Sequence, residues 1–157
     1  VVVGLNSLKI KKITVIGRNA NSLNIFVKSM KNLLSANHIS IEGINNNKFN
    51  VTPYIEEADL IINTTPIGMN SKNAEQENIP LGNEIWGSLS NKTILYDLIY
   101  TPRPTNWLKI GEDKNCCTID GLDMLVEQGA LSIRLWSGFN NIPIQIMKSS
   151  AKKHLMI

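Results

Sequence analysis

The chain has 157 residues, 43% of them hydrophobic, and 16 basic against 13 acidic side chains give a formal charge of +3. That length suits one domain with one core, burying roughly 68–70% of its unfolded surface, while the small, scattered charge offers no phosphate-backbone footprint and argues against nucleic acid as a partner. No stretch approaches the roughly 18 apolar residues needed to span a bilayer, so no membrane is expected, and a soluble, cytoplasmic protein is the reading.

In chain order, Val1, Val2, Leu5 and Leu8 recur at helical spacing, so residues 1–10 read as the tail of a helix. "KITVIG", residues 12–17, is a β-branched strand ended by glycine, and residues 21–34 place Leu23, Phe26, Val27, Met30, Leu33 and Leu34 on one helical face. A weaker strand, "ISIEGI", follows at 39–44, with asparagine-rich loops after it. "ADLIINTT" at 58–65 and "TILYDLIY" at 93–100 are continuous apolar runs, the signature of central parallel strands covered on both faces. The polar segment 70–90 between them is a long connection whose Glu75 and Glu77 are expected in solvent. A short helix between Pro102 and Lys114 turns Trp107 and Leu108 inward, "CCTI" at 116–119 is a brief strand, and helices follow at 121–137 and from Pro143 to Leu155. Strands and helices alternating at these lengths predict an α/β fold with a doubly wound parallel sheet.

In such a sheet ligands bind beyond the carboxyl ends of the strands. The residues there are Arg18, then Asn63, Thr64 and Thr65, then Asp97 and Tyr100, then Asp120 and Gly121. One polar strand end is ordinary turn chemistry; four on one edge describe a lined crevice. In dinucleotide folds an acidic residue at the position of Arg18 binds the adenosine ribose, whereas arginine suits a 2′-phosphate through charge-assisted, bidentate bonds. Arg18 therefore favours NADP over NAD, with a surface arginine opening a turn as the plain alternative. On the helix 121–137, Gln128 shares a stripe with Gly121, Leu125, Ser132 and Leu135 and is expected to face inward, where its amide needs either backbone partners or a polar ligand. Asp120 is placed to cap this helix, with Gly121 permitting close approach.

Other residues invite plainer readings. His38 and His154 are expected in solvent. Cys116 and Cys117 are adjacent, which strains a mutual disulfide and fits a reducing compartment; they are expected as small apolar side chains of a buried strand rather than metal ligands. Asp97 reads as a loop anchor through backbone bonds.

"ADLIINTTPIGM", "YDLIYTPRPTNWLK" and "DGLDMLVEQGALSIRLWSG", in this order and spacing, closely resemble the C-terminal, NADP-binding portion of the shikimate dehydrogenase family. The resemblance runs from about Lys12 to Leu155. It implies a Rossmann-like sheet lacking its first strand and glycine-rich loop, with residues 1–157 as a partial NADP-binding domain. Residues 1–10 would be the tail of the helix after that loop, and the helices of 121–157 would pack toward a substrate domain lying upstream. The implied cofactor residues are Gly17, Arg18 and Asn19, with Ala20, Asn21 and Ser22 in the same turn, then Asn63, Thr64, Thr65, Leu98 beside the nicotinamide, and Gly121. Tyr100 and Gln128 are the implied contacts to shikimate.

Two departures stand out. Gly17 and Asn19 replace the asparagine and threonine of the family's Asn-Arg-Thr turn, and the family's catalytic lysine and aspartate match no residue here, so no catalytic residue is nominated. The implied reaction is reversible hydride transfer between NADP and shikimate or 3-dehydroshikimate in aromatic amino-acid biosynthesis. The full-length enzyme would be a candidate homodimer, and the chain alone would be inactive. A quinate-accepting relative or a non-catalytic NADP-sensing domain are the alternatives. A receiver-like signalling domain would want a cluster of acids where Gly17, Arg18 and Asn19 stand.

Overall fold

A computed structural model of the chain describes residues 1–47, 49–69, 79–82 and 84–155; Glu75 and Glu77 lie outside the described residues. The elements in chain order are α1 (Val2–Leu5), β1 (Lys12–Gly17), α2 (Ala20–Ser35), β2 (Ser40–Asn45), α3 (Thr52–Glu56), β3 (Leu60–Asn63), a 3₁₀ turn (Glu84–Ser88), β4 (Ile94–Asp97), α4 (Asn106–Asp113), β5 (Cys117–Ile119), α5 (Leu122–Ser137) and α6 (Ile144–His154). All strand pairings are parallel and the strands alternate with helices, as the apolar runs predict.

Where composition leads to one core, the chain divides into two compact units, Val1–Tyr54 and Ile55–Ile157. The ladders divide likewise: among the described residues β1 pairs with β2 alone, and the second sheet has the order β3-β4-β5. β3 pairs with β4 alone among the described residues, and its Leu60 is 37% exposed. β4, hydrogen-bonded on both sides, is the central strand, with Leu95 fully buried.

In the first unit, α2 crosses back over the parallel pair β1 and β2. Gly43 makes this close: a Cβ there would lie 2.8 Å from Leu23 Cγ, so the glycine lets helix and strand meet. Ile13, Leu34 and Ile39 form the core, with Val2, Leu5, Ile10, Val15, Met30 and Ile41 packed around them. Phe26 and Leu33, expected on the inward face of α2, are exposed.

In the second unit, α4 and α5 bury Trp107, Leu108, Leu122, Val126 and Ala130 with Leu95 and Ile99. Trp86 packs its ring 5.4 Å from that of Trp107, centroid to centroid, and donates Nε1–H to the Pro80 carbonyl at 2.9 Å. Thr105 caps α4 as Ser, Thr and Asp do, accepting from Leu108 N. Farther along, α5 and α6 carry an apolar surface outward, with Leu135, Trp136, Phe139 and Ile146 all well exposed. Cys116 is half-buried and Cys117 exposed, which corrects the expectation of a buried strand: β5 is a three-residue edge strand and covers little. His38 and His154 are exposed as expected. Among the described residues no helix is long and apolar enough to cross a membrane.

Candidate functional site

The expected binding residues fall into two groups, one at the carboxyl end of each sheet. The first begins where β1 ends. Its last residue, Gly17, is paired with Asn45 of β2, so the turn Arg18–Asn19 and the run Asn45–Asn47 leave the sheet side by side. Arg18, Asn19, Ala20, Asn21, Asn45 and Asn47 line a concavity of about 290 Å³. Asn19 is the N-cap of α2, accepting from Ser22 N at 2.9 Å, a position that asparagine, aspartate and serine fill best. The N–H groups of Ala20 and Asn21, in the first turn, have no intrahelical acceptor and make this end of α2 favourable for negative charge. Arg18 is exposed, and among the described residues its guanidinium has no hydrogen bond or ion pair, although its carbonyl accepts from both Asn45 and Asn47. The concavity thus brings together a cation unpaired among the described residues and the N-terminus of α2, with the Asn19, Asn45 and Asn47 side chains bonded to the turn itself. Asn45 and Asn47 were not singled out in the sequence, although the three consecutive asparagines after an apolar run were the available signal.

The second group surrounds Asp97, the last residue of β4, which is fully buried. Its Oδ1 accepts from Asn63 Nδ2 and from Ile99 N, each at 3.0 Å, and its Oδ2 accepts from Thr105 Oγ1 at 2.8 Å. Burial pushes this carboxyl above its ordinary range, offset in part by those same three donors. Asn63, paired in register with Asp97, also accepts at Oδ1 from Thr65 N and Thr65 Oγ1, at 3.0 and 2.8 Å, and its carbonyl takes Leu98 N at 3.1 Å. One buried carboxylate thus fixes the loops 63–67 and 97–105 against each other. The reading of Asp97 as a loop anchor holds, and its bonds extend to two side chains as well as to the backbone.

Asn63 is buried, Thr64 and Thr65 are exposed, and Leu98 and Tyr100 are half-buried. The loop after β5 joins them through Gly121, whose N–H donates to the Ile99 carbonyl at 3.0 Å. Asp120 does bind the start of α5, accepting from Leu122 N at 2.9 Å, while Gly121 itself occupies the N-cap. Its other oxygen is ion-paired with Arg103, a pairing the sequence reading missed. Gln128 is exposed, and its side chain has no hydrogen bond among the described residues. The inward direction expected of it is corrected: the stripe it shares with Leu135 is uncovered at this level of α5. Among the described residues no three His, Cys, Asp or Glu side chains are grouped to hold a metal.

Parallel strands joined by crossover helices, with polar residues gathered at the strands' carboxyl ends, place the chain in the Rossmann-like α/β class of nucleotide-binding folds. Comparison with known proteins sharpens that. A family model described as the Shikimate 5'-dehydrogenase C-terminal domain matches residues 121–152. A shikimate dehydrogenase (NADP(+)) of Prochlorococcus marinus strain MIT 9515 is 46% identical over 155 residues, 99% of this chain and 52% of that protein. Two solved structures share the fold. Quinate dehydrogenase from Corynebacterium glutamicum in complex with NAD aligns with a TM-score of 0.78 at 20% identity, over 97% of this chain and 50% of that one. Shikimate 5-dehydrogenase from Listeria monocytogenes in complex with shikimate and NAD aligns with a TM-score of 0.77 at 22% identity, over 96% and 50%. The chain is a relative of shikimate dehydrogenases along nearly its whole length, as its motifs suggest, and it spans about half the length of the curated relatives it matches.

Proposed function

We propose that this chain is the NADP-binding portion of a shikimate dehydrogenase, an oxidoreductase that reversibly reduces 3-dehydroshikimate to shikimate. The observation that carries the reading is the unpaired guanidinium of Arg18 beside the start of α2, on a concavity with no acidic side chain in its lining. That arrangement suits the adenosine 2′-phosphate, which separates NADP from NAD. When bound, NADP supplies or accepts the hydride.

The chain's own residues bind and orient. Arg18 holds the 2′-phosphate, with Gly17, Asn19, Ala20, Asn21 and Ser22 forming the turn around it. Asn63, Thr64, Thr65, Leu98 and Gly121 belong to the nicotinamide side, where the Asp97 network keeps the loops fixed. Preset loops reduce the ordering cost of binding. Tyr100 and Gln128 contact the shikimate hydroxyls. Proton transfer at the reacting hydroxyl needs a general acid or base within roughly 3 Å, and no residue of this chain is assigned that role. The 157 residues alone are accordingly inactive, and the complete enzyme works in the cytoplasm as a candidate homodimer.

Calorimetric titration of the chain with NADP and with NAD tests the reading. NADP is expected to bind more tightly, and Arg18→Ala is expected to erase the difference. Equal affinities in the unaltered chain, or an NADP preference that survives Arg18→Ala, would overturn it.

A further inference from the structure

We propose that Asn45 and Asn47 form a clamp on the Arg18 peptide that sets how strongly the concavity selects a 2′-phosphate. The inference rests on the concavity being the adenosine end of the NADP site. It starts from a shortage of side chains at the turn. Of residues 17–19, Gly17 has none, and the Asn19 carbonyl oxygen Oδ1 is occupied by Ser22 N in capping α2. Arg18 alone offers a free, charged side chain to a phosphate, and the placement of its backbone sets the point from which the guanidinium reaches.

That placement comes from the asparagine run after β2. Asn46 N donates to the Gly17 carbonyl at 3.2 Å. Asn45 Nδ2 donates to the next carbonyl, that of Arg18, at 3.1 Å, and Asn47 Nδ2 approaches the same oxygen at 3.4 Å. Asn45 Oδ1 in turn accepts from Asn47 N at 3.0 Å, which ties the two clamping residues to each other. Asn45 is 7% exposed, so its amide is committed to these bonds, whereas Asn47 is exposed at the concavity. Two consecutive carbonyls of the turn are held while the guanidinium beyond them has no protein partner among the described residues. A fixed backbone beneath a free cation is a preorganised receptor: less chain freedom remains to be lost when an anion binds. Asn45 and Asn47 are positioning residues acting through Arg18, from the end of β2 and the turn after it.

The test uses the whole chain and two small probes, 2′-AMP and adenosine, titrated while amide resonances are followed by NMR. The unaltered chain is expected to bind 2′-AMP more tightly than adenosine. Asn45→Ala is expected to weaken 2′-AMP about fivefold, the loss of one hydrogen bond's worth of positioning, and to leave adenosine unchanged. Asn47→Ala, at an exposed site that does not threaten folding, is expected to weaken 2′-AMP about twofold with adenosine again unchanged. A parallel loss for both probes would mark the asparagines as merely structural and overturn the clamp, as would an unchanged 2′-AMP to adenosine ratio in Asn47→Ala. No binding of 2′-AMP by the unaltered chain would overturn the nucleotide reading, and the clamp with it; that result is distinct because it needs no variant.

Discussion

A Cβ added to Gly121 would stand 2.0 Å from the carbonyl oxygen of Leu98 and 2.5 Å from its carbon. The close approach that a glycine allows here is therefore between two parts of the chain's own backbone, the loop after β4 and the start of α5. The contact is with main chain, so no side-chain rotation relieves it. Gly121→Ala is expected to destabilise the chain by about 3 kcal/mol through overpacking, read as a lowered urea midpoint. A loss below about 1 kcal/mol would mean that the two loops slide apart easily.

Asp97 gives the chain a pH dependence with a definite sign. Burial raises its carboxyl above the ordinary 3.8, against the lowering effect of hydrogen bonds from Ile99, Thr105 and Asn63. A folded-state value above the unfolded one means that the folded chain holds the proton more tightly. The contribution favours folding below the unfolded value and is lost as pH rises through the folded value. Urea unfolding followed as pH rises above the ordinary carboxylate value is expected to show this fall, and Asp97→Asn to lack it. At neutral pH the variant also sets an amide NH₂ against one of three donors, at a cost of about 1–3 kcal/mol. An identical pH slope in both proteins would contradict the assignment.

Arg18→Lys separates charge from geometry. Lysine keeps the positive charge but not the planar fork that grips a phosphate at two points. NADP affinity is expected to fall roughly tenfold in Arg18→Lys and by about 2 kcal/mol in Arg18→Ala, with NAD affinity unchanged in both. Fluorescence titrations with NADPH and with NADH read these changes.

Gln128 is exposed and makes no side-chain hydrogen bond among the described residues. Gln128→Ala is expected to change the stability of this chain by no more than about 0.5 kcal/mol. A larger shift in thermal midpoint would show that the amide is a structural element and weaken its assignment to shikimate.

Much of the architecture was legible because its signals are local. β1 matches the run Lys12–Gly17, where β-branched residues stop at a glycine, and α2 and α5 lie within a residue of the apolar periodicities that announce them. What was not legible depends on what lies across from a residue. Phe26, Leu33 and Gln128 sit on stripes that periodicity assigns to the interior, but a stripe is buried only where a neighbouring layer is wide enough to cover it. α3 was missed because five residues carry too little periodicity to register. At the site, Arg18 and Asp97 announced themselves by charge at a strand end, whereas Asn45 and the Arg103–Asp120 pair act through partners far away in sequence, and Thr105 through one a loop away.

The distribution of tryptophan has an optical consequence. All three tryptophans lie in the unit Ile55–Ile157, and they divide into a buried pair, Trp86 and Trp107, and Trp136, which is 84% exposed. Emission from the pair reports on the packing of α4, while the red edge of the spectrum belongs to Trp136 at the end of α5. Iodide reaches only the latter. The unit Val1–Tyr54 contains no indole at all, so it stays dark when tryptophan is excited selectively. Tryptophan emission therefore follows the unit Ile55–Ile157 alone while circular dichroism follows both, and loss of red-edge quenching reports a molecule bound over the end of α5.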